Sequence, residues 1–334
     1  MRKTFITIAA LSAALAFTSC GGQKTETAQE QNFNNPFIRH LYTADPSAHV
    51  WADGRLYVYP SRDMTPDNCD GMDNYHVFST DDMLHWTDHG RILRAADVPW
   101  QKEALNNNAK FMWAPDCAYK NGKYYFYFPH PDKNSWNDNW KIGIAVSDKP
   151  ASDFKVLPEP LKGLPEKGEI DPCVFIDEDG QAYFYYGGGG HSYGAKLKDN
   201  MTELDGELQE MQGLQDFHEA TWVHKRNGIY YLSYSDNHDE GNDTEGVKGD
   251  NRMRYATSNS PLGPWEYKGI YMEPTDSYTN HGSIVEYKGQ WYAFYHNSEL
   301  STINGEWNDW QRSICVDKLF YNEDGTIQLV QQTK

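Results

Sequence analysis

Positive charge is scarce in this chain. Its 334 residues include 30 Lys and Arg against 48 Asp and Glu, a formal net charge of −18. Nucleic acids and anionic membrane surfaces are bound through clustered cations that release counterions, and no basic cluster stands in the sequence, so both partner classes are excluded. Cysteine is scarce too, at five residues, and no Cys or His spacing matches a zinc site. Cys117, Cys173 and Cys315 sit inside apolar strand patterns, where a thiol packs as a small core residue; with Cys69 they make an even set that also permits disulfides. No amphipathic helix of useful length can be drawn. The run Gly187 to Gly190 follows a strand but precedes no helix, so it is not a phosphate cradle, and the acidic stretch from Asp236 to Asp243 fails the EF-hand spacing and reads as a solvated loop.

Aromatic residues, by contrast, are abundant: 14% of the chain, with 23 Tyr and 11 Trp. Such a load suits stacking on sugar faces and equally suits the core of an all-β protein. The N-terminus stands apart. Arg2 and Lys3 precede an apolar run from Phe5 to Phe17, which is too short for a mature membrane helix, and Thr18-Ser19 lead into Cys20. We read residues 1–19 as a signal peptide of the bacterial lipoprotein kind and residues 20–34 as a lipid-bearing Cys20 with a polar tether, leaving residues 35–334 for one folded domain. The protein is thus expected to be exported and held to a bacterial membrane only by its lipid, and to be a monomer.

Within that domain one pattern recurs. An apolar segment, a turn ending in glycine and a tyrosine three residues on appear at Gly54/Tyr57, Gly122/Tyr125, Gly180/Tyr183, Gly228/Tyr231 and Gly289/Tyr292. Each is a β-hairpin signal. Further strands extend the hairpins: Tyr75 to Ser79 and Trp86 to Leu93 in the first unit, Ile142 to Val146 in the second, and Gly194 to Leu197 in the third. Met253 to Thr257 and Trp265 to Ile270 complete the fourth, and Ser313 to Phe320 and Thr326 to Val330 the fifth. Five such units predict an all-β, five-bladed β-propeller of four-stranded antiparallel blades around a central channel. A pair of β-sandwiches would explain the strands but not the fivefold register.

Nine residues before the five turn glycines stand Asp45, Trp113, Asp171, Glu219 and Asn280. Alone, Asp45-Pro46 and Asp171-Pro172 are ordinary strand-entry signals. In a propeller, however, all five first strands begin at one end of the channel, so Asp45, Asp171 and Glu219 converge. Mutual repulsion and partial desolvation should then raise the pKa of at least one, as a general acid requires. Trp113 holds the same register without a carboxylate and is either a stacking platform for a sugar or a core tryptophan.

Thr43-Ala44-Asp45-Pro46-Ser47, Trp113-Ala114-Pro115-Asp116, Ile170-Asp171-Pro172, His218-Glu219-Ala220 and Asn280-His281-Gly282-Ser283 together resemble glycoside hydrolase family 43, over a stretch running from about Asn35 to the C-terminus. The resemblance implies a five-bladed propeller and an inverting mechanism, which needs roughly 6.5–9.5 Å between carboxyl groups to admit water. It implies Asp45 as general base, Glu219 as general acid and Asp171 as the residue that orients the acid and tunes its pKa. Arg312 is expected to bind sugar hydroxyls, and His281 to contact a structural calcium ion or its water, with no cofactor required for the chemistry. Calcium prefers oxygen ligands, so most of such a shell would be water. The expected substrate is a plant cell-wall polysaccharide or oligosaccharide losing a terminal α-L-arabinofuranose or β-D-xylose. Rim loops from Asp63 to Asn74 and from Asp236 to Asp250 leave open an exo-galactanase, a galactofuranosidase or an arabinan-cleaving endo-enzyme. A surface glycan-binding lipoprotein without catalysis is the alternative from another class, and retention of all three acids argues against it.

Overall fold

The computed structural model describes residues 33–101, 110–132, 140–166, 168–236 and 251–334. The expected signal peptide, Cys20 and the tether through residue 32, and all but Asp236 of the acidic stretch and of the second rim loop, lie outside the described residues. The last two tether residues, Phe33 and Asn34, are described, and Phe33 is buried with its ring 5.9 Å from that of Tyr292, so the packed chain starts at least two residues before Asn35. Blade 1 is β1 (Thr43–Val50), β2 (Leu56–Arg62), β3 (Asn74–Thr80) and β4 (Trp86–Arg94). Blade 2 is β5 (Asp116–Lys120), β6 (Lys123–Pro131), β7 (Trp140–Ser147) and β8 (Lys155–Val156). Blade 3 is β9 (Cys173–Ile176), β10 (Ala182–Gly188), β11 (His191–Leu197) and β12 (Leu204–Glu210), and blade 4 is β13 (Glu219–Arg226), β14 (Ile229–Ser235), β15 (Met253–Ser258) and β16 (Glu266–Met272). Blade 5 has β17 (Ser283–Tyr287), β18 (Gln290–Asn297) and β19 (Ser313–Leu319), with a five-residue helix α1 (Glu299–Ile303) between the last two. Every sheet is an antiparallel meander in chain order, and β1 packs against the strands of blade 5 to close the ring.

The five turn glycines cause the hairpins. Gly54, Gly122, Gly180, Gly228 and Gly289 all adopt a left-handed φ between 78° and 85°, and a Cβ there would meet no neighbour. The backbone conformation, not space, therefore selects glycine. Tyrosines stitch the blades together. Tyr59, Tyr127 and Tyr185, each five residues past its turn glycine, donate to the carbonyls of Pro150, Met201 and Pro261 in the following blade at 2.6–2.8 Å. Tyr231 does the same to Gly325 and Tyr287 to Asp81, which carries the pattern round the ring. Each hydroxyl is satisfied while its ring fills a seam between blades, so the aromatic load is largely core.

Two outer strands differ from the sequence reading. β12 was not legible as a strand, because Leu204–Glu210 is mostly exposed polar side chains with a central glycine and no two-residue alternation. In blade 5 the stretch from Thr326 to Val330 does not pair with β19; it folds back on residues 320–322 through the isolated bridge Tyr321–Ile327 and the Asn322–Thr326 and Gln328–Phe320 hydrogen bonds, and turns its Val330 N–H to Tyr271 of blade 4. The free edge of β19 is instead occupied by residues 35–37. Asn35 brackets Val316 with its side-chain amide at 2.9 and 3.0 Å, and the Phe37 N–H reaches the Ile314 carbonyl. The N-terminal segment completes the last blade because the neighbouring first blade follows it directly in sequence.

Candidate active site

The first strands deliver three acids to one end of the channel through a shared distortion. β1 carries a bulge between Ala44 and Ser47, and β13 carries one between Glu219 and Trp222. Asp45 and Asp171 sit at φ 52° and 55°, and Ala220, next to Glu219, at 66°. Bulges and left-handed residues break the alternation of a strand and re-aim a side chain, at a cost of about 1–3 kcal/mol for each strained residue. All three acids line one cavity of about 990 Å³, together with Trp113, His281 and Arg312. The structure thus brings together all six residues expected to act on substrate or ion, whereas Asn280, at the same register in blade 5, does not line the cavity. Asp45 and Asp171 lie at its floor, 7% and 4% exposed.

Asp45 is the most heavily supported. Its Oδ1 receives the Arg312 Nη1 at 3.2 Å and its Oδ2 the Ser61 hydroxyl at 2.5 Å. Its backbone N–H donates to Nδ1 of the fully buried His296 at 3.0 Å, while Nε2 of that ring meets the Thr279 carbonyl at 2.8 Å. This tautomer is neutral, in keeping with a His296 pKa driven down to about 3 by burial and by the Arg312 charge. Burial by itself would raise the Asp45 carboxyl, but Arg312, with the two histidines and Ser61, outweighs it and brings it down to about 2. Asp45 is therefore a carboxylate throughout the physiological range.

Asp171 is the opposite case. Burial, then the Glu219 charge and then that of Asp45 push its pKa well above the ordinary range, against the Ala220 N–H that donates to Oδ2 at 2.9 Å and against the Arg312 charge. That hydrogen bond ties Asp171 of blade 3 to the residue beside Glu219 of blade 4. Glu219 itself is less enclosed, its side chain 18% exposed, and His218 Nε2 stands 3.9 Å from its Oε2.

Arg312 is committed to carboxylates. It grips Asp63 with Nε and Nη2 at 3.0 and 2.9 Å, and spans Asp45 and the Thr279 hydroxyl with Nη1. Trp113 packs its ring 4.6 Å from that of Trp140, tilted by 33°, and fixes its indole N–H to the Cys69 carbonyl, so one tryptophan serves as both packing and cavity wall. His281 places Nδ1 3.9 Å from Asp45 and 3.7 Å from Asp171, and burial, with Arg312, lowers its pKa. Among the described residues no group of three or more His, Cys, Asp or Glu could enclose a metal ion. All four cysteines of the described domain are free.

Sequence reasoning missed Asp63, Ser61, His296 and Asp116. The first three follow from antiparallel pairing, because the end of a second strand returns to the mouth where the first began; Ser61, for example, pairs with Ala44. Asp116 lies deeper and ties three blades, accepting from Ser47 at 2.5 Å and from the Val174 N–H at 2.6 Å, with His49 at 2.6 Å.

One carboxylate held ionised and, across the channel, an acid pair that favours keeping a proton divide base and acid work between them, which hydrolysis of a glycosidic bond requires. The fold and site thus define a propeller glycosidase. A family model for glycosyl hydrolases family 43 matches residues 33–327, and the chain belongs to that family. It is 39% identical to the Xylosidase/arabinosidase 43A of Humicola insolens, over 87% of this chain and 98% of that protein. A Xylosidase/arabinosidase of Bacteroides ovatus is 36% identical over 86% and 94%. Among solved structures, the β-xylosidase/α-arabinofuranosidase CoXyl43 from a compost metagenome, in complex with xylotriose and in a calcium-free form, superposes with a TM-score of 0.75. It is 38% identical, with 88% of this chain and 96% of that chain covered.

Proposed function

We propose that this chain is an inverting exo-glycosidase that releases terminal β-D-xylose or α-L-arabinofuranose from plant cell-wall oligosaccharides and polysaccharides. The observation that carries the reading is the unequal treatment of two buried acids in one cavity: Asp45 kept ionised by Arg312, Asp171 pushed towards its protonated form beside Glu219. Asp45 takes the proton of the attacking water, Glu219 protonates the leaving oxygen with the one proton that mutual repulsion keeps on the Asp171–Glu219 pair, and Asp171 orients Glu219. Asp45 and Glu219 belong to blades 1 and 4, which are not neighbours in a ring of five, so base and acid face each other across the channel. Such opposition leaves room for water on the face away from the leaving group and supports inversion. The named pentosidase activities of the relatives support pentose over galactofuranose.

The test is a panel of aryl β-D-xyloside, α-L-arabinofuranoside and β-D-galactofuranoside, with the anomer of the first product followed by proton NMR. Wild type should turn over at least one pentoside with inversion, and Glu219→Ala should lose 10²–10⁴-fold in kcat/KM, roughly the contribution of a general acid. Binding to a wide glycan panel without turnover would instead establish a surface glycan-binding protein. For location, Arg2-Lys3, the run from Phe5 to Phe17 and Cys20 support an exported, lipid-anchored enzyme. An ion in the channel would be held chiefly through water, with His281 as the side-chain contact, since among the described residues no group of three or more His, Cys, Asp or Glu could hold one.

A further inference from the structure

The bulge that turns Asp45 into the cavity leaves a backbone donor outside the strand ladder. Ala44 pairs with Ser61 and Ser47 with Tyr59, so Asp45 and Pro46 together oppose the single residue Pro60. Asp45 sits at φ 52°, and its N–H finds its partner not in β2 but in the neighbouring blade 5, at Nδ1 of His296, 3.0 Å away. A buried N–H without an acceptor is costly, so this one contact decides whether the left-handed turn is tolerated.

His296 is held as an acceptor. It lies on β18, the middle strand of its blade, paired with Ile314 and fully buried. Its Nε2 stands 2.8 Å from the Thr279 carbonyl, which can only accept, so Nε2 carries the ring proton and Nδ1 keeps its lone pair. The Thr279 hydroxyl, 3.3 Å from Nε2, receives Arg312 Nη1 at 3.1 Å. A second proton would turn Nδ1 into a donor and set a cation beside the guanidinium, and burial together with the Arg312 charge opposes it. His296 does not line the cavity and has no surface to offer a sugar. Its reach into the site is through Asp45 alone.

We infer that His296 is a positioning residue: it fixes the main chain of Asp45 in the conformation that aims the carboxylate at the attacking water, an inference that rests on the exo-glycosidase reading above. Arg312 and Ser61 hold the carboxylate oxygens, but a side chain gripped at its tip still moves with its backbone. Without the acceptor, the buried Asp45 N–H is relieved by rotation of the backbone, which carries the carboxylate with it. A displacement of about 1 Å is enough to cost roughly 100-fold in rate.

The experiment measures kcat and KM for wild type, His296→Asn, His296→Gln and His296→Leu on pentosides with a dinitrophenyl and with a phenyl leaving group. Asparagine sets an oxygen near the place of Nδ1 and keeps the acceptor, glutamine reaches the Nε2 end instead, and leucine offers none. The Gln and Leu variants should lose about 10–100-fold in kcat with KM within roughly threefold of wild type, and Asn should recover most of the loss. The loss should be the same for both leaving groups, since dinitrophenolate departs without a general acid but water still needs the base. Wild-type kcat in Gln and Leu, equal losses in Asn and Gln, or a loss confined to the phenyl glycoside overturns the inference. Should His296→Leu not fold, Asn against Gln makes the same comparison. Crystal structures of wild type and His296→Gln give a readout independent of turnover: the Asp45 carboxylate should shift by about 1 Å, and an unmoved carboxylate rejects the positioning role. Failure of wild type to cleave any pentoside would reject the exo-glycosidase reading, while the two structures still decide on His296.

Discussion

Replacing Asp171 with asparagine should make the protein more stable while impairing it as a catalyst, and the pH dependence of the first effect follows from the site. The Asp171 carboxyl is buried and is pushed up by burial, by Glu219 and by Asp45. Its ordinary value is 3.8. Below that pH the group carries its proton in folded and unfolded chains alike, and the charge penalty is absent. As pH rises through the window between 3.8 and the raised folded value, the unfolded chain ionises freely while the folded chain resists. Each unit of that window removes about 1.4 kcal/mol of wild-type stability, and the loss is level above it. Asparagine is nearly isosteric, can still accept the Ala220 N–H through its Oδ1, and has no charge to lose. The difference in Tm, variant minus wild type, should therefore be near zero below pH 3.8 and grow above it by roughly 2–4 °C for each kcal/mol, the lower end suiting a domain of this size. Differential scanning calorimetry from pH 3 to pH 8 measures it. In parallel, kcat/KM should fall, and its basic limb should move to lower pH, because the acid pair loses the negative neighbour that favours a proton. A Tm difference that is flat with pH, or negative at neutrality, would refute the electrostatic account of Asp171, and an unmoved basic limb would remove it from the tuning role.

Three further outcomes are expected. Arg312→Gln takes away the largest influence that keeps Asp45 near a pKa of about 2, so the acidic limb of kcat/KM should shift upward by roughly 1–3 units, with thermal stability monitored because Asp63 loses its partner; an unmoved limb would contradict the assignment of Asp45 as base. Exhaustive chelation followed by the aryl-glycoside assay should leave turnover intact, since no step of the proposed mechanism passes through a metal, and a loss restored by calcium alone would show an ion supported by the channel. Cys20→Ser should move the protein from the membrane fraction to the soluble fraction of the producing cell; unchanged fractionation would reject the lipid anchor.

The fold was legible because its causes are local and repeated. Each turn needs a glycine at left-handed φ, and each apolar strand leads into one, so the period of the ring is written five times along the chain. The outer strands were less legible, since β12 is solvated and carries no apolar alternation, and the outer edge of blade 5 is covered by residues 35–37, from the other end of the domain, without a fourth strand. For the site, the register of Asp45, Asp171 and Glu219 was readable for the same reason as the fold: positions equivalent in each repeat share one end of the channel. Arg312 and His281 came from the family resemblance, and the structure places both against Asp45.

What the chain by itself determined is that Asp45, Asp171 and Glu219 meet, because a closed ring of equivalent hairpins admits one convergence point. What only the tertiary structure decided is how they differ once there. Asp45 and Asp171 begin the same motif, a left-handed aspartate followed by proline, yet one is held ionised and the other is pushed towards its protonated form. The difference lies in neighbours that come from elsewhere in the chain, Arg312 and His296 for Asp45 and Glu219 for Asp171. Electrostatic free energy depends on distances through space in a low-dielectric interior, and those distances are set only when blade 5 closes against blade 1 and blade 4 against blade 3.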